Sequence, residues 1–185
     1  DSPTNRVSED SIVGKKEEHE FAALSLAKTK QVSDLVKWAE DRPIWISWKL
    51  DGLTLVVTYD GGKLTKIVTR GNGHIGTNIT HLAPAISGIP ATISEKGHLV
   101  VRGEAVISYA DFEQFIIESE GDYANPRNLA SGSLTLKDIE EVKQRHIQWI
   151  PFTLVYTERE LTSWGERMRM LKELGMNPVE RERID

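Results

Sequence analysis

The chain contains no cysteine. That removes disulfide scaffolds, thiolate zinc sites and cysteine nucleophiles together, and it points to a reducing, cytoplasmic setting. No stretch approaches the ~18 apolar residues that a membrane-spanning helix needs, so no membrane partner is expected. Asp1 to Val7 have neither a basic start nor an apolar centre, which excludes a secretory signal. An initiator methionine is also missing, and the chain is expected to be a processed or excised piece. Charge of one sign is not in strong excess: 23 Lys and Arg face 28 Asp and Glu, a net −5. Such a balance does not hold nucleic acid through its overall field, although a local basic patch can sit inside it. Lys15-Lys16 is not such a patch, being offset by Glu17-Glu18. His19, His74, His81, His98 and His146 lack ligand spacing with carboxylates, so no zinc site and no protein-held metal are expected. What is present is an ordinary globular composition of 185 residues, 39% hydrophobic and 28% charged, sized for one domain with or without an appendage.

Residues 1–20 are polar and aperiodic and read as an extended arm or linker. The spacing of Val32, Leu35, Val36 and Ala39 predicts a helix opening near Thr29 and stopped by Pro43. Ile44–Leu50 reads as a strand with Ser47, Lys49 and Asp51 on one face. Leu53–Tyr59 and Lys63–Thr69 flank Asp60-Gly61-Gly62, a hairpin signature. Leu99–Ile107 and Trp149–Tyr156 read as further strands, the second buried. Ser108 and Asp111 form a capping signature for a short helix with Phe112, Phe115 and Ile116 inward. Tyr123–Ser133, rich in Asn, Pro, Gly and Ser, reads as a shaped loop. A last helix is capped by Thr162, carries Trp164, Met168 and Leu171, and closes at Gly175. Trp38, Trp45, Trp48 and Trp149 are read as core. Strands with helices between them give a mixed α+β domain.

Four islands carry chemistry. Lys49-Leu50-Asp51-Gly52 places an amine in an apolar run; it is either a surface lysine or a nucleophile that Asp51 orients and beside which Gly52 admits a ligand. Thr69-Arg70-Gly71-Asn72-Gly73 sets a guanidinium among small residues, a geometry suited to phosphate or ribose. Arg102-Gly103-Glu104 puts a carboxylate beside a mid-strand glycine, where something must approach closely. Asn125-Pro126-Arg127-Asn128, followed by Ala130-Ser131-Gly132-Ser133, offers another arginine in a turn-like setting. Each alone is equally a turn, a cap or a surface ion pair.

In this order the four islands resemble the nucleotidyltransferase (adenylation) domain of bacterial NAD-dependent DNA ligases, and Asp1-Ser2-Pro3-Thr4-Asn5-Arg6-Val7 looks like the segment leading into it. The resemblance implies an α+β fold of mainly antiparallel sheets with flanking helices, the nucleotidyltransferase (ATP-grasp-like ligase) fold, present here as a partial domain. It divides the chain into a leading arm and first strand over residues 1–28 and the adenylation domain over 29–185. The later lysine motifs of the family and its N-terminal NMN-binding domain do not occur in this sequence, which is expected to be cut from a longer ligase. Lys49 would attack the α-phosphate of NAD, release NMN and become AMP-lysine; AMP would pass to the 5′-phosphate of nicked DNA before the nick is sealed. Asp51 and Gly52 would line ribose and phosphate, Arg70 would hold ribose or phosphate, and Glu104 would accept from the ribose hydroxyls. Ser25 and Leu26, in the strand Leu24–Leu26, would lie near adenine, and Arg127 would meet DNA phosphate or the adenylate. Phe152 would stack on adenine or serve as a core aromatic. Mg²⁺ would accompany the phosphates, and the partners would be nicked double-stranded DNA and the other domains of the same ligase, the protein being a monomer.

The sequence departs from the family where charge is expected. Ser47 stands where members usually carry the glutamate that reads the adenine amino group, Asn72 replaces an aspartate, Thr77-Asn78 replace an acidic pair, and Thr135 replaces an arginine. Two rivals follow: an ATP-dependent nucleotidyltransferase sharing Lys-x-Asp-Gly, and a catalytically degenerate paralogue that binds DNA or a protein partner.

Overall fold

The computed structural model describes residues 14–119 and 121–185; the leading segment Asp1–Val7 lies outside them. In chain order the elements are β1 (Lys16–Glu18), α1 (Val32–Ala39), β2 (Ile44–Ser47), β3 (Leu53–Asp60), β4 (Lys63–Thr69) and β5 (Ile75–Thr77). A 3₁₀ segment (Thr80–Ala85) leads to β6 (Leu99–Val106), α2 (Tyr109–Ser119), α3 (Pro126–Ser133), α4 (Ile139–Lys143), β7 (Gln148–Thr157), α5 (Trp164–Glu173) and β8 (Arg181–Ile184). Four strands form the central sheet in the order β4-β3-β6-β7, and two small ribbons pair β1 with β5 and β2 with β8. Every pairing between these strands is antiparallel, as the mixed α+β reading expects.

Alternation along the central strands creates two faces. Leu55, Val57, Tyr59, Leu99, Val101, Ala105, Trp149 and Leu154 point to one side, where they pack with Leu82, Leu129, Val142, Met168 and Leu171 from the 3₁₀ segment, α3, α4 and α5. Fully burying side chains of this size stabilises the fold by about 1.5–3 kcal/mol each. The opposite face carries a small second cluster, Val56 and Val100 beneath Ala23, with Phe21 and Val155 at its margin. Residues 19–26 therefore lie across the sheet as a strap, and the remainder of that face is left for the site.

The close neighbour of the mid-strand glycine in Arg102-Gly103-Glu104 is the protein itself. A Cβ on Gly103 would come within 2.4 Å of the Trp149 indole, whose Nε1 donates to the Leu55 carbonyl at 3.3 Å. On β7 the register with β6 shifts twice, leaving Phe152 and Val155 as the extra residues of two bulges. Bulges re-aim side chains, and Pro151 is tolerated because β7 is a sheet edge.

Several expectations are corrected. The strand that holds Ile44 ends at Ser47, so Lys49 sits in the connection to β3 and not within an apolar strand. Among the described residues Leu24–Leu26 has no strand pairing, and the first strand there is β1. Tyr123–Ser133 contains a helix, α3, because Asn125 caps it by accepting from the Asn128 amide and Pro126 occupies its first turn. The last helix is capped by Ser163, in a capping box with Glu166, while Thr162 donates to Glu166. The apolar stripe of α1 is exposed, as are Trp38 (67%) and Trp48 (70%), and Trp45 is only half-covered, against Trp164; only Trp149 of the four belongs to the core. Amphipathic periodicity reports a face able to be buried, and in α1 nothing among the described residues covers it. No helix among the described residues is long and apolar enough to cross a membrane.

Candidate active site

The site is assembled where β3, β6 and the β2–β3 connection meet. Antiparallel register places Thr54 of β3 directly opposite Glu104 of β6, and the Thr54 hydroxyl donates to the Glu104 carboxylate at 2.7 Å. The loop carrying Lys49 and Asp51 thus runs straight into the strand residue that holds the acidic group of the third island. Burial pushes the Glu104 carboxyl above the usual glutamate range, opposed by the Thr54 bond, by the nearby Gly52 amide and then by the positive charges of Arg127 and Lys49. Lys49 and Asp51 themselves are exposed. Asp51 pairs with Arg127 from the first turn of α3 at 3.4 Å, an exposed ion pair worth about 0–1 kcal/mol.

Gly52 has a backbone reason to be glycine. A Cβ there would lie 2.0 Å from the Ala105 carbonyl oxygen, so the close approach expected of a ligand is made by β6. Gly52→Ala must therefore displace either the Lys49 loop or the strand. The expected outcome is a loss of about 1–3 kcal/mol, the usual range for overpacking, read by urea unfolding.

A second group adjoins the first through Thr54, whose carbonyl accepts from the Arg70 amide at 3.1 Å. The Arg70 guanidinium donates through Nε to the Ala23 carbonyl at 2.9 Å and through a terminal nitrogen to the Ser25 hydroxyl at 2.8 Å. Arg102 donates to the Leu24 carbonyl at 3.4 Å; burial first, and the like charge of Arg70 second, lower its proton affinity. Arg70 and Arg102 have no carboxylate ion-pair partner among the described residues, an arrangement that leaves positive charge beside the Glu104 row.

Of the residues singled out from sequence, Lys49, Asp51, Gly52, Glu104 and Arg127 are brought together, and Arg70 with Ser25 stands one strand away. Leu26, at the end of the strap, is almost fully exposed. Ser47, the last residue of β2, is exposed and faces Arg181 of β8 in the register. Phe152 is half-buried at its bulge and packs against neither apolar cluster. Asn72 turns inward on its own loop, accepting from the His74 and Ile75 amides. Thr54 and Arg102 were not singled out as site residues; only strand register brings Thr54 to Glu104, and no sequence motif announces it. Arg145 was also missed. It is buried, bonds Ser133 and Glu141, and lies 4.4 Å over the Phe115 ring, so it ties α3, and with it Arg127, to α4 and α2. No three His, Asp or Glu side chains among the described residues gather as a metal site.

An antiparallel mixed domain with a lysine loop beside a half-buried glutamate, and arginines on either side, has the architecture of an adenylation domain of a ligase. The chain belongs to the NAD-dependent DNA ligase adenylation domain family, whose model matches residues 15–184. The DNA ligase of Lachnoclostridium phytofermentans is 40% identical over 189 aligned residues, which cover 99% of this chain and 29% of that protein. The DNA ligase of Ruminiclostridium cellulolyticum is 42% identical over 170, covering 89% and 26%, and that of Leptospira biflexa 43% over 152, covering 80% and 23%. The chain thus spans less than a third of the length of these relatives.

Proposed function

We propose that this domain performs the adenylation step of NAD-dependent nick sealing, with Lys49 as nucleophile. The Lys49 amine, once deprotonated, forms a bond from Nζ to the α-phosphorus of NAD. The phosphoanhydride bond to NMN breaks, NMN leaves with the electron pair, and the amine proton passes to solvent. Negative charge grows on the non-bridging oxygens, where Arg70 and Arg127 supply positive charge. Glu104 accepts from the ribose hydroxyls, Asp51 and Gly52 border ribose and phosphate, and Ser25, Leu26, Ser47 and Phe152 border adenine. AMP then passes to the 5′-phosphate of nicked DNA, and the 3′-hydroxyl displaces it. Mg²⁺ would neutralise phosphate oxygens during these transfers. In this reading residues 1–28 form the leading arm and 29–185 the adenylation domain, and the other domains of a longer ligase supply the rest of the machinery, in the cytoplasm and as a monomer, during DNA replication and repair.

The observation that carries the reading is the Thr54–Glu104 bond at 2.7 Å across β3 and β6, which sets the nucleophile's connection, two residues before Thr54, beside the residue expected to hold the ribose. The intact protein should be incubated with NAD or ATP labelled in the adenylate. The expected result is label on the protein that withstands alkali and is released by acid, as a phosphorus–nitrogen bond requires, with NMN release from NAD only; labelling by ATP alone, or by neither, would overturn it. Ser47 and the inward-turned Asn72 favour a second reading, a degenerate paralogue that binds nicked DNA or a partner. Nicked-DNA binding without any label is its signature.

A further inference from the structure

The strap that brings Ser25 to the site is fastened at its middle by a histidine. His98, just before β6, sets Nδ1 at 2.5 Å from an Asp60 carboxylate oxygen at the end of β3 and Nε2 at 2.8 Å from a Glu20 carboxylate oxygen on the strap. A neutral imidazole has one N–H and one lone pair, so one of these contacts would set a lone pair against a carboxylate oxygen. The imidazolium alone donates to both. The clasp is continued by packing: the His98 ring lies against Tyr156 of β7, and Tyr156 stacks on Phe21, the strap residue after Glu20. Beyond Phe21 the strap buries Ala23, whose carbonyl accepts from Arg70, and reaches Ser25, bonded to the same guanidinium.

We propose that His98 is a positioning residue for the nucleotide site, holding the strap, and with it Ser25, in its seated place while the imidazole carries both protons. The inference rests on the reading that Ser25 borders a nucleotide pocket. Glu20 faces His98 from the strap and Asp60 from β3, and Glu158, after β7, accepts from its backbone amide. Lys96 extends over the Gly61-Gly62 turn, Arg159 is engaged by Glu95, and Tyr156 contributes its ring. Two carboxylates therefore grip one imidazole, and a third holds its backbone. The two side-chain bonds, that to Asp60 foremost, raise the His98 pKa above its ordinary 6.5 against the opposing effect of burial. For a raised group, the stabilisation is complete below the ordinary value and is lost as pH rises through the raised one. The strap is thus seated on the acid side and loosened on the alkaline side.

The test is a calorimetric titration of the intact protein with AMP from about pH 6 to about pH 9, spanning the histidine range, with thermal unfolding recorded at each pH. The expected result is an AMP affinity that falls roughly two- to fivefold across the window, the yield of partly exposed ion pairs. His98→Gln should hold the weaker, alkaline value throughout. Glu20→Gln, which leaves the His98–Asp60 contact on the sheet and removes only the strap's half, should flatten the profile equally. That second variant separates a strap clasp from a merely structural histidine. A wild-type affinity that is flat across the window, or a pH profile unchanged in either folded variant, would overturn this inference and leave the adenylation reading intact. Absence of AMP binding at every pH would overturn both.

Discussion

Lys49→Ala is expected to abolish the protein–AMP adduct completely while leaving the domain folded. Lys49 is exposed and lies outside the strands, so its truncation creates no cavity, and surface changes of this kind shift stability by only about 0.5 kcal/mol. No other side chain in the group can replace its chemistry: the guanidinium groups of Arg70 and Arg127 only donate, and Asp51 and Glu104 are acceptors. Mass spectrometry of the protein after exposure to NAD would show the added adenylate in the wild type and none in the variant. An adduct that survives and maps by peptide sequencing to another lysine would remove Lys49 from its role.

The second large effect belongs to Glu104, and it has two signs. Burial holds this carboxyl above its ordinary 4.5, so its ionised form is disfavoured by the fold near neutral pH. Glu104→Gln removes that charge at nearly constant shape and keeps an oxygen for the Thr54 hydroxyl. The variant should therefore melt at a higher temperature than the wild type near neutral pH. The gain should vanish at pH below the ordinary glutamate value, where the carboxyl is protonated in the folded and unfolded chain alike. Nucleotide affinity should move the other way. Hydrogen bonds to a charged acceptor contribute about 1.5–3 kcal/mol, so losing the carboxylate should weaken AMP binding by roughly tenfold to a hundredfold. A variant that melts higher and binds AMP unchanged would show that Glu104 does not hold the ribose. Stability gained with function lost is the usual mark of a group placed for its ligand.

Much of this could be read from the chain before any coordinates. The Asp60-Gly61-Gly62 hairpin, the β6 and β7 strands and the family motifs rest on local signals: turn chemistry, period-two alternation and short spaced islands. What escaped was non-local. The partnership of Thr54 with Glu104 depends on register between strands separated by 50 positions, and nothing in either segment announces it. Ribbons as short as β1, β5 and β8, of three or four residues, exist through their partners rather than through their own pattern. In α3, small residues suggested a loop, but the Asn125 cap and Pro126 outweighed them. The tryptophans erred in the opposite direction: bulk and hydrophobicity suggested the interior, yet Trp38 and Trp48 are exposed.

Those same tryptophans give the domain a built-in optical readout. Trp149, 1% exposed and wedged against Gly103, should emit at short wavelength and resist collisional quenchers. Trp48, 70% exposed and adjacent in sequence to Lys49, should emit to the red and be quenched readily. Its indole nitrogen donates to Glu180 at 3.2 Å, so any movement of the Lys49 connection alters both its solvent contact and its hydrogen bond. Trp149 is thus sealed behind the sheet while Trp48 reports from beside Lys49, and with the exposed Trp38 removed by substitution the Lys49 connection can be followed without an attached dye.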